Sequence, residues 1–162
     1  VLYSEEQQQH YDTFGKTTNF GDDLYLLMPV LCNCEKIYFT PECLYNYVVD
    51  NQSISHKKNK NYCEEITIRN RLMEFTYHVI HNSGYMDQEM KELLHIDSVV
   101  VMIPVIVESI KSRALRTIKN KKLKNNIFFN EMVLKTRFVE LKQRFGIKKA
   151  IVFQLFKIWF AM

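Results

Sequence analysis

Four glycines and three prolines in 162 residues are few. A turn-rich β-sandwich or barrel needs turn residues about every 8–12 positions, so that architecture is excluded in favour of helices joined by short connections. Only four cysteines occur, Cys32, Cys34, Cys43 and Cys63, and no basic-then-apolar leader precedes them. They read as reduced thiols, held neither in disulfides nor on zinc, in an intracellular protein of cytoplasm, nucleus or organelle. The chain starts with Val, so its natural beginning is expected to lie upstream. Long apolar runs are also lacking. The longest, Val99 to Val107, is about half of the roughly 20 residues that span a bilayer as a helix, so it reads as a core element and no transmembrane segment is expected.

What is present is apolar bulk and a divided charge. At 47% hydrophobic and 13% aromatic the chain can bury a sizeable core, and its length fits one domain, residues 1–162. The first 108 residues carry eight basic and sixteen acidic residues, whereas Ser109 to Met162 carry fourteen basic residues against Glu131 and Glu140. The acidic part therefore stands near −8 and the basic third near +12. A split of that size has an electrostatic use.

Hydrophobic period fixes the fold class as all-α, a compact domain of about five to seven helices. Val1 to Asn19 reads as a docking arm or frayed helix. Asp22 and Asp23 can cap a helix through Leu24, Leu27, Met28 and Leu31, with Pro29 in its first turn or at its end. Thr40, Pro41 and Glu42 predict another helix start, running to Val49. Asn51 to Asn61 reads as an exposed loop. Ile68, Leu72, Phe75 and Val79 share one helix face, closed by Ser83 and Gly84. Asp87 caps the next helix, with Met90, Leu93 and Leu94 turned inward. The β-branched run after Ser98 continues through Ile106, Ile110, Ala114 and Ile118 at steps of four, which predicts a central buried helix bent or started at Pro104. The core is expected to hold Ile68, Leu72, Phe75, Val79, Leu93, Leu94, Val101, Ile106 and Ile110. Lys119 to Lys124 reads as a solvated helix end and loop.

The stretch Phe138 to Trp159, FVELKQRFGIKKAIVFQLFKIW, resembles the helix-turn-helix of DNA-binding domains, including the segment that precedes the catalytic part of some transposases. In that resemblance Gly146 occupies the turn, and Leu141, Phe145, Ile147, Val152 and Leu155 pack the two helices together. It implies that Lys148, Lys149 and Lys157 face phosphates and that Gln154 faces a base edge. Two core helices joined at Gly146, with basic residues on their solvated sides, account for the same pattern.

Catalytic patterns are weak. Glu74, His78 and His81 share one side of a helix but do not match the zincin spacing, and the cysteines are irregularly placed for zinc. Arg71 and His78 loosely resemble the pair of helical ribonuclease domains, and Asn19 to Asp22 lacks the arginine of the Asn-Trp-Gly-Arg motif of small viral death suppressors. No metal, cofactor or enzymatic activity is expected.

Two functions follow. The first is a non-catalytic helical module that contacts RNA, DNA or another polyanion through Lys111, Arg113, Lys121, Lys122, Lys124, Lys142, Lys148, Lys149, Gln154 and Lys157. Interleaved aromatics, Phe128, Phe129, Phe153, Phe156, Trp159 and Phe160, would then stack on unpaired bases. The alternative is a protein-interaction or assembly subunit, an adaptor or viral-type regulator, that offers a hydrophobic groove between helices to a larger assembly.

Overall fold

The computed structural model describes residues 5–13, 21–43, 61–118 and 121–162, and among them the chain is all-α, without strands. In order come α1 (Glu5–Thr13), α2 (Asp22–Asn33), α3 (Tyr62–Asn82), α4 (Gln88–Lys111), a 3₁₀ turn (Leu115–Ile118), the one-turn α5 (Lys121–Lys124), a π-helical segment (Phe129–Leu134), α6 (Phe138–Phe145) and α7 (Ile147–Ala161). Of the N-terminal segment expected as a docking arm or frayed helix, Glu5–Thr13 form α1, set against α2. Residues 44–49 and 51–60, expected as helix and loop, lie outside the described residues. Pro41–Cys43 are not helical, although the Thr40 hydroxyl accepts from the Glu42 N–H at 3.2 Å, as expected of a start signal.

The two long helices begin where short polar side chains can take an orphan amide. Asn61 accepts from the Glu64 N–H at 3.2 Å, and Asp87 accepts from the Met90 N–H at 2.7 Å. Glu64, Glu65 and Glu89 set negative charge in the first turns, against the positive ends of the dipoles. Both helices close with paired bonds of five- and three-residue span. Tyr85 donates to the Ile80 carbonyl and Gly84 to that of His81, with Gly84 at φ 79°. Ala114 donates to Ser109 and Arg113 to Ile110, with Arg113 itself left-handed at φ 55°. That closure ends α4 at Lys111, short of the continuation that Ala114 and Ile118 suggested.

Helix α4 is one element where the sequence suggested two. It runs from Gln88 through Pro104 to Lys111, 24 residues. It is long and apolar enough to cross a membrane, yet it packs against α3, α7 and the π-helical segment and buries Leu94, Val99, Met102, Ile103, Val105 and Ile106. Pro104 removes one amide from the ladder. One turn away, Arg69 reaches over from α3 and donates to the Val101 carbonyl at 3.0 Å, while its other nitrogen pairs with Glu65 at 2.7 Å. Ser98 and Ser109, fully buried, return their hydroxyls to Leu94 and Ile106 carbonyls, each at 2.7 Å. Both buried serine hydroxyls are thus satisfied inside an apolar setting.

Among the described residues the interior divides into three clusters where a single one was expected. The largest joins Ile66, Val99, Met102, Ile103, Val105 and Ile106 to Ile118, Leu123, Phe129, Leu141, Ala150, Phe153, Phe156 and Phe160. A second groups Tyr25 with Leu72, Phe75 and Val79, and a third groups Met73, Ile80 and Leu94. Leu93 and Ile110, expected inside, are 43% and 40% exposed, because α4 turns its neighbouring residues inward instead. In α2, Leu24 and Leu27 face out while Tyr25 and Pro29 face in, so the proline sits within the helix on its buried side. The Lys119–Lys124 region holds a helical turn whose Leu123 is buried.

Candidate interaction surface on the C-terminal helical pair

Helices α6 and α7 are joined by Gly146 alone, at φ 80° and ψ 164°. Glu140 fixes the start of α6, accepting from the Arg137 N–H at 3.1 Å and from its guanidinium Nε at 2.6 Å. Burial pushes the Glu140 carboxyl up, but the Arg137 bonds and charge, with His95, outweigh it and hold the group below the usual carboxylate value.

The inner face of α7 is built from Ala150, Phe153, Phe156 and Phe160, all buried. Phe156 lies 5.9 Å from Phe153 and 5.6 Å from Phe160, ring centroid to centroid, and Phe160 lies 5.3 Å from Phe129. Burial of each such ring contributes on the order of 1.5–3 kcal/mol. Four of the six aromatics expected to stack on bases, Phe129, Phe153, Phe156 and Phe160, are therefore core, while Phe128 and Trp159 are half-buried. The expected helix-turn-helix packing set is also redistributed. Leu141 is buried and Phe145 and Val152 are half-buried, but Ile147 and Leu155 face out.

That outward pair belongs to a longer row. Ile147, Ile151, Leu155, Ile158 and Met162 are 53%, 46%, 61%, 61% and 85% exposed. At roughly 100° per residue they fall within about an 80° arc on the side of α7 opposite Phe153 and Phe160. Charge is absent from the row itself. α7 is thus apolar on two opposite sides, one covered by its own chain and one left open among the described residues.

The basic residues expected to bind do not share one face of α7. Lys148 and Lys157, nine residues apart, point roughly 180° from each other. Lys157 is half-buried and donates through Nζ to the Thr136 carbonyl at 2.8 Å. Burial lowers its ammonium pKa, with Glu140 acting in the opposite sense. Gln154 is half-buried between the two faces. Lys142, Lys148 and Lys149 are exposed, with Arg144, around the Gly146 turn, and Arg144 lies 4.0 Å from Asp97 of α4. Elsewhere Lys111 sits 3.9 Å from Glu108, Arg113 occupies the left-handed closure of α4, and Lys124 is exposed at the end of α5. Of Lys121 and Lys122 only the backbone is described.

Among the described residues no group of three or more His, Cys, Asp or Glu side chains is arranged to hold a metal ion. Glu74 is half-buried, His78 and His81 are exposed, and both rings lie against Tyr77, that of His81 stacked at 6.0 Å. The four cysteines are free thiols, Cys43 exposed and the others half-buried. No family model, curated protein or solved structure matches this chain. Among the described residues, fold and surface define an all-helical protein in which α7 presents an uncovered apolar side.

The outward row was present in the sequence as steps of four, four, three and four. It was masked by the inner aromatics, which repeat at similar spacing and gave no local sign of which set faces the core.

Proposed function

We propose that this chain is a non-catalytic protein-interaction or assembly module that engages its partner through the outer side of α7. The observation that carries this reading is the row Ile147, Ile151, Leu155, Ile158 and Met162, exposed along the whole helix. A solvated helix ordinarily turns polar residues outward, so a continuous aliphatic row there favours a contact surface. Leu155→Glu and Ile158→Lys place charge in the row without touching the inner aromatics. The expected outcome is that the wild-type chain associates with a protein, the variants do not, and all retain the same helical circular dichroism. Equal association of wild type and variants would refute the reading.

A second reading has its own support. Lys142, Arg144, Lys148 and Lys149 are exposed on both sides of Gly146 and could neutralise phosphates of a nucleic acid. Titration with duplex DNA and with single-stranded RNA at about 50 and 200 mM salt tests it. Binding that weakens with salt would support that reading, provided that Lys148→Ala and Lys149→Ala each reduce the salt slope by up to about 0.9 for every duplex phosphate they leave unneutralised.

A further inference from the structure

We propose that the outer row of α7 pairs antiparallel with the same row of a second copy of this chain; this rests on the interaction reading and names the partner. Ile151, Leu155, Ile158 and Met162 follow steps of four, three and four, the seam spacing at which two helices interlock side chains. The row is nearly the same read in either direction. Centred on Gln154 and Leu155, an antiparallel partner sets Ile147 against Met162 and Ile151 against Ile158, with Leu155 beside its own copy at the two-fold axis. Such an isologous contact closes on itself and stops at two copies.

Charge selects the direction. Lys142, Arg144, Lys148 and Lys149 gather at the start of α7, whereas from Ala150 onward the helix carries Lys157 alone, turned inward onto Thr136. Parallel pairing would stack the two basic ends. Antiparallel pairing holds Lys148 and Lys149 roughly 17–20 Å from their copies along the axis, at 1.5 Å per residue. That exceeds twice the screening length of about 8 Å at physiological salt, so their repulsion is largely removed. An anionic membrane or an acidic helix would also suit the basic end, but neither uses the reversible spacing of the row. Pairing covers on the order of 1,000 Å² in total, near the lower limit for a specific interface. An interface at that limit is expected to associate weakly, with a dissociation constant in about the micromolar range.

The test is sedimentation equilibrium of the full chain from about 5 to 500 μM, a range that brackets a micromolar constant. The expected result is a monomer–dimer equilibrium in the wild type and at least about a 100-fold weaker one in Leu155→Glu and Ile158→Lys. Mild oxidation of Leu155→Cys is expected to trap a covalent dimer that Ile147→Cys and the wild type, with its own four cysteines, do not give. A monomer at every concentration, a dimer that persists in both charge variants, or cross-linking through Ile147→Cys in preference to Leu155→Cys would overturn the proposal. A wild-type monomer that instead binds a different protein through Leu155 would overturn the second copy and leave the interaction reading standing. A monomer whose row binds only phosphatidylserine-containing vesicles, or nothing, would overturn both.

Discussion

At Gly146 one residue makes the whole turn between α6 and α7, and its backbone explains why glycine stands there. Its φ of 80° with ψ of 164° falls in a region closed to side-chain-bearing residues, although a Cβ would meet nothing within 4 Å. Gly146→Ala should therefore lower stability through backbone strain, by about 1–3 kcal/mol, with no steric clash to relieve. Chemical denaturation measures it. Tyr25 offers a test of burial. Its ring is 1% exposed against Phe75, and burial pushes the phenol up from 10.0 to about 12, with Arg71 lowering and Glu74 raising it. A folded value above the unfolded one means that the stabilisation is complete below pH 10 and is lost as pH rises toward 12. Tyr25→Phe should remove that loss, so denaturation midpoints of wild type and variant should move apart between those two pH values. Gly146 reads as a turn residue from the sequence alone. Nothing local separates Tyr25 from Leu24 and Leu27, which carry the same apolar signal and face water.

Among the elements, helix type was legible and helix extent was not. The caps at Asp87 and the closure at Gly84 were read from short polar residues and a glycine, whose local chemistry decides the backbone unaided. The unbroken course of α4 through Pro104 has no local signal in the sequence, and a contact from another helix lies within a turn of it. Arg69 supplies it, donating to Val101 while held by Glu65. Arg69→Met keeps the apolar stem and removes the donor, and should destabilise by about 1.5–3 kcal/mol, the range for a hydrogen bond from a charged group. Glu65→Gln should cost less than about 1 kcal/mol, because the pair it breaks is partly solvated. If the two variants lose equal stability in a thermal melt, the bond to Val101 is not what matters. Dependence on partners explains Leu93 and Ile110. Their spacing is that of a buried face, and only the position of α3, α7 and the π-helical segment shows that α4 is covered on another side.

Across the whole molecule, the all-α class followed from composition and period, while the use of the surface did not. The charge division between the two parts is a property of the sequence, but its geometry in α7 differs from the resemblance to a helix-turn-helix. Lysines that a single aligned face would require are distributed around the helix, and one of them is spent on Thr136. What the fold adds is the sorting of two apolar sets on α7, which the sequence carries as one undivided signal. Leu155 and Phe156 are neighbours in the chain and lie on opposite sides of that sorting, 61% and 1% exposed. The most direct measurement is urea unfolding of Leu155→Ala and Phe156→Ala, each at a protein concentration too low for association. Phe156→Ala should lose about 3–5 kcal/mol through the cavity it leaves. Leu155→Ala should stay within about 0.5 kcal/mol of wild type, as exposed positions do. A loss at Leu155 comparable to that at Phe156 would mean that the outer row is buried within the chain's own core, and would contradict the account.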